Sequence, residues 1–438
     1  MFTGAGNHMT QSQPECKNRP YDPPMNGWDR PWLARAMVLI LVTATTTSGA
    51  FAQKNKRVLK PVPALTRVES SRNDWTVSLE YTITDSLNHF SVDGFPVREL
   101  RANVPLLPDT GISTARPQRL TGAIVLKNGR RFDDREIINN LPCLTSVASW
   151  RVRDFVLSEA RLDAQISVSS YETKINEELA VARQWPNAPW SAQLATCLEP
   201  QPFIESNETG IKRLVQMWTR GKPKKAKPYV LAKYLASKVI ASVRLSESRY
   251  SLTHPFALDE RLKKRGNISM VLPLVHGAAW AAKNKTTNRY DLACLLTAVY
   301  RAAGIPARLV IGVDVVEATT TDTLPLHAWV EFFLPYPHKP DVPVTNDDGE
   351  WIPVDIYRQV LFSSQPPDIN QRWQFFGHNE ESDDLAPLSF HWLTPGGPVE
   401  SAAPTETWIV RWSSIPQWKL AANFRISVTS TANDGSDR

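Results

Sequence analysis

The stretch NRYDLACLLTAVYRAAGIPAR, residues 288–308, decides the fold. It reads as one helix with a marked start and stop. Asn288 is a strong N-cap residue, and Asp291 lies three positions on, where a capping-box acid belongs. Leu292, Leu295, Leu296 and Val299 recur at helical spacing. Gly304 suits the left-handed position just past a helix end, and Pro306 bars continuation. The first helical residue is therefore Arg289. Cys294 lies about a turn and a half inside, and at ~100° per residue it is rotated roughly 140° away from the Arg289 face. That rotation aims its thiol into the packing beside the leucines. It also takes the thiol out of the first turn, where the helix dipole acts.

Past Gly304 the apolar period switches to two, in ARLVIGVDVV (307–316) and LHAWVEFFLP (326–335). In the second run Ala328, Val330, Phe332 and Leu334 share one face, while His327, Trp329 and Glu331 share the other. Asp355 closes WIPVD (351–355), after the polar loop TNDDG (345–349), on a strand expected beside the second run. A carboxylate there could hold one nitrogen of the His327 ring and turn the other toward the helix start. Each piece alone has an ordinary explanation: a strand histidine is commonly structural, and an Asp after such a strand is commonly a cap.

Upstream, Ile211, Leu214, Val215 and Trp218 fall on one helical face. Tyr229 to Leu245 reads as a second helix, and MVLPLVHGAAWAAKN (270–284) carries further helical signals. Helices followed by an antiparallel sheet make residues 199–380 an α+β domain. Between them RGKPKKAKP (220–228) is a basic run without interleaved aromatics, so it reads as a solvated linker and not as a nucleic-acid site.

Residues 57–198 are rich in strand signals. Trp75, Val77, Leu79, Tyr81 and Ile83 alternate with polar residues, AIVLKNGRRF (123–132) holds the hairpin turn Asn128-Gly129, and AQISVSSY (164–171) alternates again. This predicts a β-sandwich-type domain, with a helix expected over Ser146–Ala160. Residues 381–438 return to strand signals in ETWIVRW and FRISVTST and end in the polar STANDGSDR, expected to be disordered.

The first 52 residues set the expected compartment. Arg30 and Arg35 flank a short apolar stretch that ends in Ala50-Phe51-Ala52, the pattern of a secretory signal peptide cleaved after Ala52. The protein is thus expected to be exported, periplasmic or secreted, and to meet a membrane only if this segment stays attached. Cleavage removes Cys16 and leaves Cys143, Cys197 and Cys294; in an exported chain the first two are either bridged or separate buried thiols. Hydrophobic residues make up 42% and charged residues 21%, with a net charge of +6, an ordinary globular balance. His338 and His378 read as isolated surface-loop residues. No His or Cys spacing points to a metal, and no glycine-rich phosphate loop points to a nucleotide cofactor.

Taken together, the helix with its GIPAR exit, the LHAWVE strand and the WIPVD strand resemble the transglutaminase-like superfamily, whose core is a papain-like cysteine-protease fold. The resemblance runs from Leu198 to Phe376 and takes in CLEPQPFIESNETGIKRL (197–214) and RWQFFG (372–377) as flanking segments. It implies that His327 and Asp355 occupy the catalytic His and Asp positions. The family nucleophile stands at the first turn of this helix, two residues before an acidic residue. That position carries Arg289, with Asp291 as the acid and Cys294 where the family has an apolar core residue. A guanidinium stays protonated and cannot attack a carbonyl, but it binds carboxylate or phosphate.

Two functions remain open at this level. One is a degenerate domain that binds a peptide, a protein or a cell-wall fragment, with Arg289, Trp329 and Glu331 at the ligand or with Arg289 simply paired to Glu331 or Asp355. The other is an active protease, amidase or transglutaminase in which Cys294 reaches His327.

Overall fold

A computed structural model describes residues 61–85, 95–106, 109–115, 120–246, 275–320, 326–338, 342–363, 365–390, 410–414 and 420–430. The expected signal segment, the end of STANDGSDR and the MVLPL run lie outside these residues. No helix among the described residues is long and apolar enough to cross a membrane.

The central helix runs Arg289–Ala302, with Asn288 as its N-cap and Gly304 just past its end; the Asp291 carboxylate, expected in a capping box, instead accepts from His276 N (2.7 Å) and Gly277 N (2.9 Å). Asn288 Oδ1 accepts from the backbone N–H groups of Tyr290 (2.9 Å) and Asp291 (2.8 Å). Gly304 adopts φ +85°. Its N–H reaches Arg301 O at 3.0 Å and that of Ile305 reaches Tyr300 O at 3.0 Å, which satisfies the terminal carbonyls. Every residue from Tyr290 to Arg301 is buried. The helix is the axis of the domain, wrapped by Thr209–Thr219, Pro228–Ser242 and Ala278–Asn284 on one side and by a sheet on the other.

That sheet is antiparallel, in the order Gly349–Val354, Leu326–Pro335, Ala307–Asp314, Leu385–Ser389. Its two faces enter different cores, as the alternation predicts. Ala328, Val330, Phe332 and Leu334 join the main core with the helix. Trp329 packs with Ile112, Val310, Leu385 and Phe390, and Phe333 packs with Cys143, Cys197, Val344 and Trp351. With both faces covered, each aliphatic side chain here contributes about 1.5–3 kcal/mol through burial.

The β-rich part is a pair of sheets. One has four strands, in the order Val410–Ser414, Phe95–Leu106, Thr145–Leu157, Arg135–Leu141. The other has six: Leu420–Ser430, Asn73–Asp85, Glu159–Ser170, Thr121–Leu126 and Arg131–Phe132 in order, with Ser113–Ala115 also on Glu159–Ser170. Trp75, Val77, Leu79 and Tyr81 are buried in alternation. Asn128-Gly129 forms the expected hairpin, with Gly129 at φ +81°.

The helix expected over Ser146–Ala160 is instead strand, Thr145–Leu157 and the start of Glu159–Ser170. Two features imitate helical spacing there. Residues 147–150 are buried without a break, and Asp154 takes φ +49°, so that Arg153 and Asp154 are both exposed between buried Val152 and Phe155. Three-residue apolar spacing then arises from a distorted strand.

A tucked loop ties the sheets to the helical domain. Gly111 N donates to Glu331 Oε1 at 2.8 Å, and Arg308 Nη2 donates to Asp109 O at 2.9 Å. A Cβ on Gly111 would stand 2.6 Å from Trp351 O, so only glycine lets the loop approach this closely. Glu350 adds a second tie by accepting from Ala64 N and Leu65 N, each at 2.9 Å.

Candidate functional site

His327 enters the site from the strand Leu326–Pro335, paired across the sheet with Gly312. Its Nε2 is 2.6 Å from Asp355 Oδ2, and both residues are buried. Asp355 follows the last residue of the strand Gly349–Val354 and caps the next helix, Ile356–Phe362, where its Oδ1 accepts from Arg358 N at 3.0 Å. Cap and dyad partner are thus the same carboxylate, one oxygen for each task. The flanking RWQFFG segment fixes its backbone: Asp355 N donates to Phe375 O at 3.0 Å and Gly377 N to Pro353 O at 2.8 Å.

Burial pushes the Asp355 carboxyl up, but His327 and then Arg358 more than reverse this and hold it below the ordinary carboxylate value. Arg358 is itself anchored by Asp314, 2.7 Å from Nη2, and by Glu381 at 3.1 Å. Burial alone lowers its pKa, while the Asp355 and Asp314 carboxylates raise it beyond the usual arginine value. Asp355 is therefore a carboxylate held between an imidazole and a guanidinium. Asp355 fixes the Nε2 side of the ring, which leaves Nδ1 as the nitrogen available to a reacting group.

Arg289 stands at the first helical position, as the register predicts. Its guanidinium carbon lies 5.1 Å from the centroid of the Tyr357 ring, and that ring is 6.3 Å from the His327 ring. Arg289 Nη1 is 3.5 Å from Glu317 Oε2. The alternative partners read from the sequence, Glu331 and Asp355, are engaged elsewhere. Asp355 is taken by His327 and Arg358, and Glu331 Oε2 by Arg308 at 2.8 and 3.0 Å.

Trp329 and Glu331, expected at the ligand, are 1% and 0% exposed. Glu331 accepts from Arg308, Gly111 N and Trp329 Nε1, the last at 3.3 Å. Arg308 is stacked between Trp351 (4.0 Å) and Phe390 (4.1 Å). This cluster supports the strand beneath His327 and offers no face to a ligand. Cys294 is 0% exposed and lies in the main core with Leu292, Leu295 and Leu296.

Of the two arrangements open for Cys143 and Cys197, the bridge is not formed: both are buried and neither is in a disulfide. His378, expected on the surface, is 5% exposed beside Arg372 and Glu380. Arg358 and Tyr357 escaped the sequence reading. Their signal was present, since Arg358 lies one helical turn after Asp355.

This frame, a His–Asp dyad on an antiparallel sheet facing the start of a buried helix, is that of a papain-like domain. The model of the transglutaminase-like superfamily matches residues 222–356, which hold Arg289, Cys294, His327 and Asp355, and this part of the chain belongs to that superfamily. Two solved structures are similar. A proposed cysteine protease from Cytophaga hutchinsonii shares 11% identity at a TM-score of 0.44, with 84% of this chain and 94% of that one covered. A proposed protease from Parabacteroides distasonis shares 12% identity at a TM-score of 0.21, covering 63% and 42%. No curated protein matches the chain.

Proposed function

We propose that this is an exported, catalytically degenerate transglutaminase-like protein whose cleft binds a peptide, protein or cell-wall ligand without cleaving it. The observation that carries the proposal is Arg289 at the helix start, over the Tyr357 ring that also packs near His327, while Cys294 is enclosed in the core. Thiol catalysis needs a cysteine near the helix N-terminus and within reach of the imidazole. Arg289 supplies a fixed positive charge there instead. Its 3.5 Å pair with Glu317 is long, and a carboxylate or phosphate on the ligand can take the place of that partner. The sequence of the first 52 residues supports export.

The test is iodoacetamide labelling of the folded, reduced protein near neutral pH. In the wild type Cys294 stays unlabelled until unfolding. In Arg289→Cys the new thiol reacts at least tenfold faster than a free cysteine, and His327→Ala removes the enhancement. Rapid labelling of wild-type Cys294 that His327→Ala slows would overturn the proposal in favour of an active enzyme.

A further inference from the structure

A second group of reactive side chains lies away from His327. Cys143 sits at the corner between the strands Arg135–Leu141 and Thr145–Leu157, with φ +55°. Cys197 lies in the short helical turn Thr196–Leu198 that leads into the helical domain. Both are 0% exposed. They are not bridged, yet they share one buried cluster with Phe333, Val344 and Trp351, so the two thiols are neighbours.

The remaining surroundings are polarised toward Cys143. Arg301 Nη2 donates to its Sγ at 3.2 Å and Gln201 Nε2 at 3.7 Å. Arg308 adds positive charge from the neighbouring strand, and in its protonated form the Cys143 thiol donates to the Thr196 carbonyl oxygen at 3.8 Å. Cys143 N is held by Thr196 Oγ1 at 2.8 Å, which keeps the two segments in register.

We propose that Cys143 and Cys197 are a reversible dithiol–disulfide couple, oxidised by exchange with a small disulfide, with Cys143 the attacking member. When the strand corner opens locally and admits the oxidant, Cys143 attacks one of its sulfurs, forms a mixed disulfide and expels the other sulfur as a thiolate. Cys197 gives up its proton, attacks Cys143 Sγ and expels the second thiolate. The oxidant gains two electrons and is released as two thiols, with the protons drawn from Cys197 and from solvent.

The electrostatics agree with this order. Burial alone would raise the Cys143 thiol. The hydrogen bond from Cys197, the charges of Arg301 and Arg308 and the contact with Gln201 outweigh it and bring the thiol to about 6. Cys197 is pushed up by burial and then by the Cys143 anion, which makes it the resolving partner.

Closing the bridge would join the sandwich corner to the entry of the helical domain. It would also discharge the anion that faces Arg301. Arg301 ties Glu199 O (2.7 Å), Gln201 Oε1 (3.0 Å) and Ala307 O (2.9 Å) at the C-terminal end of the central helix. The other end of that helix carries Arg289.

The test equilibrates the full chain in mixtures of reduced and oxidised dithiothreitol, quenches with acid, unfolds, alkylates with iodoacetamide and maps the cysteines by mass spectrometry. Cys143 and Cys197 should lose alkylation together as the oxidised fraction rises, appear as one linked peptide pair and recover on reduction. Cys294 should stay alkylated throughout. Cys197→Ser and Cys143→Ser should each leave the remaining partner alkylated. If both stay alkylated at the most oxidising ratio, or the link includes Cys294 or Cys16, the proposal is wrong. The wild-type measurement alone decides this should either variant fail to fold.

Discussion

Arg289 lies over the ring of Tyr357 with its guanidinium carbon 5.1 Å from the ring centroid, and the ring of His327 is 6.3 Å from the same aromatic side chain. A cation over a ring at a part-exposed site is worth about 0.5–1 kcal/mol. Tyr357 is therefore a platform for Arg289 and packs beside His327, and its ring is expected to shield that imidazole. Tyr357→Ala should speed modification of His327 by diethyl pyrocarbonate severalfold, whereas Tyr357→Phe should leave it near the wild-type rate. Equal rates in all three proteins would show that the ring does not shield the histidine.

Asp355 makes stability depend on acid in a defined direction. Its carboxyl is held below the ordinary 3.8, so its contribution is complete above that value and is lost as pH falls through the lower, folded one. Removing one member of a buried pair costs about 3–5 kcal/mol. Asp355→Asn should therefore unfold in less urea by a margin that is constant from pH 7 to 5 and narrows below pH ~4. A margin unchanged at the most acidic pH that still supports folding would contradict this assignment.

The pair Arg308–Glu331 is fully buried. Glu331→Ala strands the guanidinium between Trp351 and Phe390 and should cost about 3–5 kcal/mol. Arg308→Met combined with Glu331→Leu should recover much of that loss, because apolar side chains carry no desolvation penalty. Additive losses in the double-mutant cycle would mean that the two residues are not coupled.

Two glycines should respond in opposite directions. Gly111→Ala drives a methyl against Trp351 O and Pro353 Cδ, at 2.6 and 2.8 Å, and should cost about 1–3 kcal/mol. Gly210 lies in the helix Thr209–Thr219, and a Cβ there meets nothing within 4 Å. Gly210→Ala should gain about 0.5–1 kcal/mol in helix propensity. Thermal melts of the two variants should move to opposite sides of the wild type.

Cys294→Ala leaves a small hole beside Leu295 and should lower stability by about 1–2 kcal/mol. It should leave the reactivity of Arg289→Cys unchanged when the two are combined. Loss of that reactivity would place the Cys294 thiol in the site.

The central helix was legible because its signals are local. Asn288, Gly304 and Pro306 mark its ends within a span of 19 residues, and its apolar spacing does not depend on partners elsewhere. The face carrying His327 was legible for the same reason, since alternation along one strand fixes which side chains travel together. The role of Glu331 was not. Besides Trp329 two positions back, its partners are Arg308, 23 positions away, and Gly111, 220 positions away, and nothing in LHAWVE announces those two. Burial then turned an expected ligand contact into an internal tie. The strand Thr145–Leu157 was missed because its alternation is broken at Asp154, a backbone event that leaves only a trace of helical period in the sequence. Arg358 was within reach, since its distance from Asp355 is a single helical turn.

The pairing of the last strands with the first sets an order of assembly. Leu420–Ser430 lies along Asn73–Asp85, and Val410–Ser414 along Phe95–Leu106, so that Thr429 and Thr76 meet across 353 positions of chain. On the ribosome the papain-like part emerges with its contacts complete, while both older sheets still lack an outer strand. Until Val410–Ser414 and Leu420–Ser430 have emerged and paired, Asn73–Asp85 and Phe95–Leu106 present bare edges to any other extended chain. The half of the molecule made first is the half finished last, and a chain that stops before Val410 carries those sticky edges permanently.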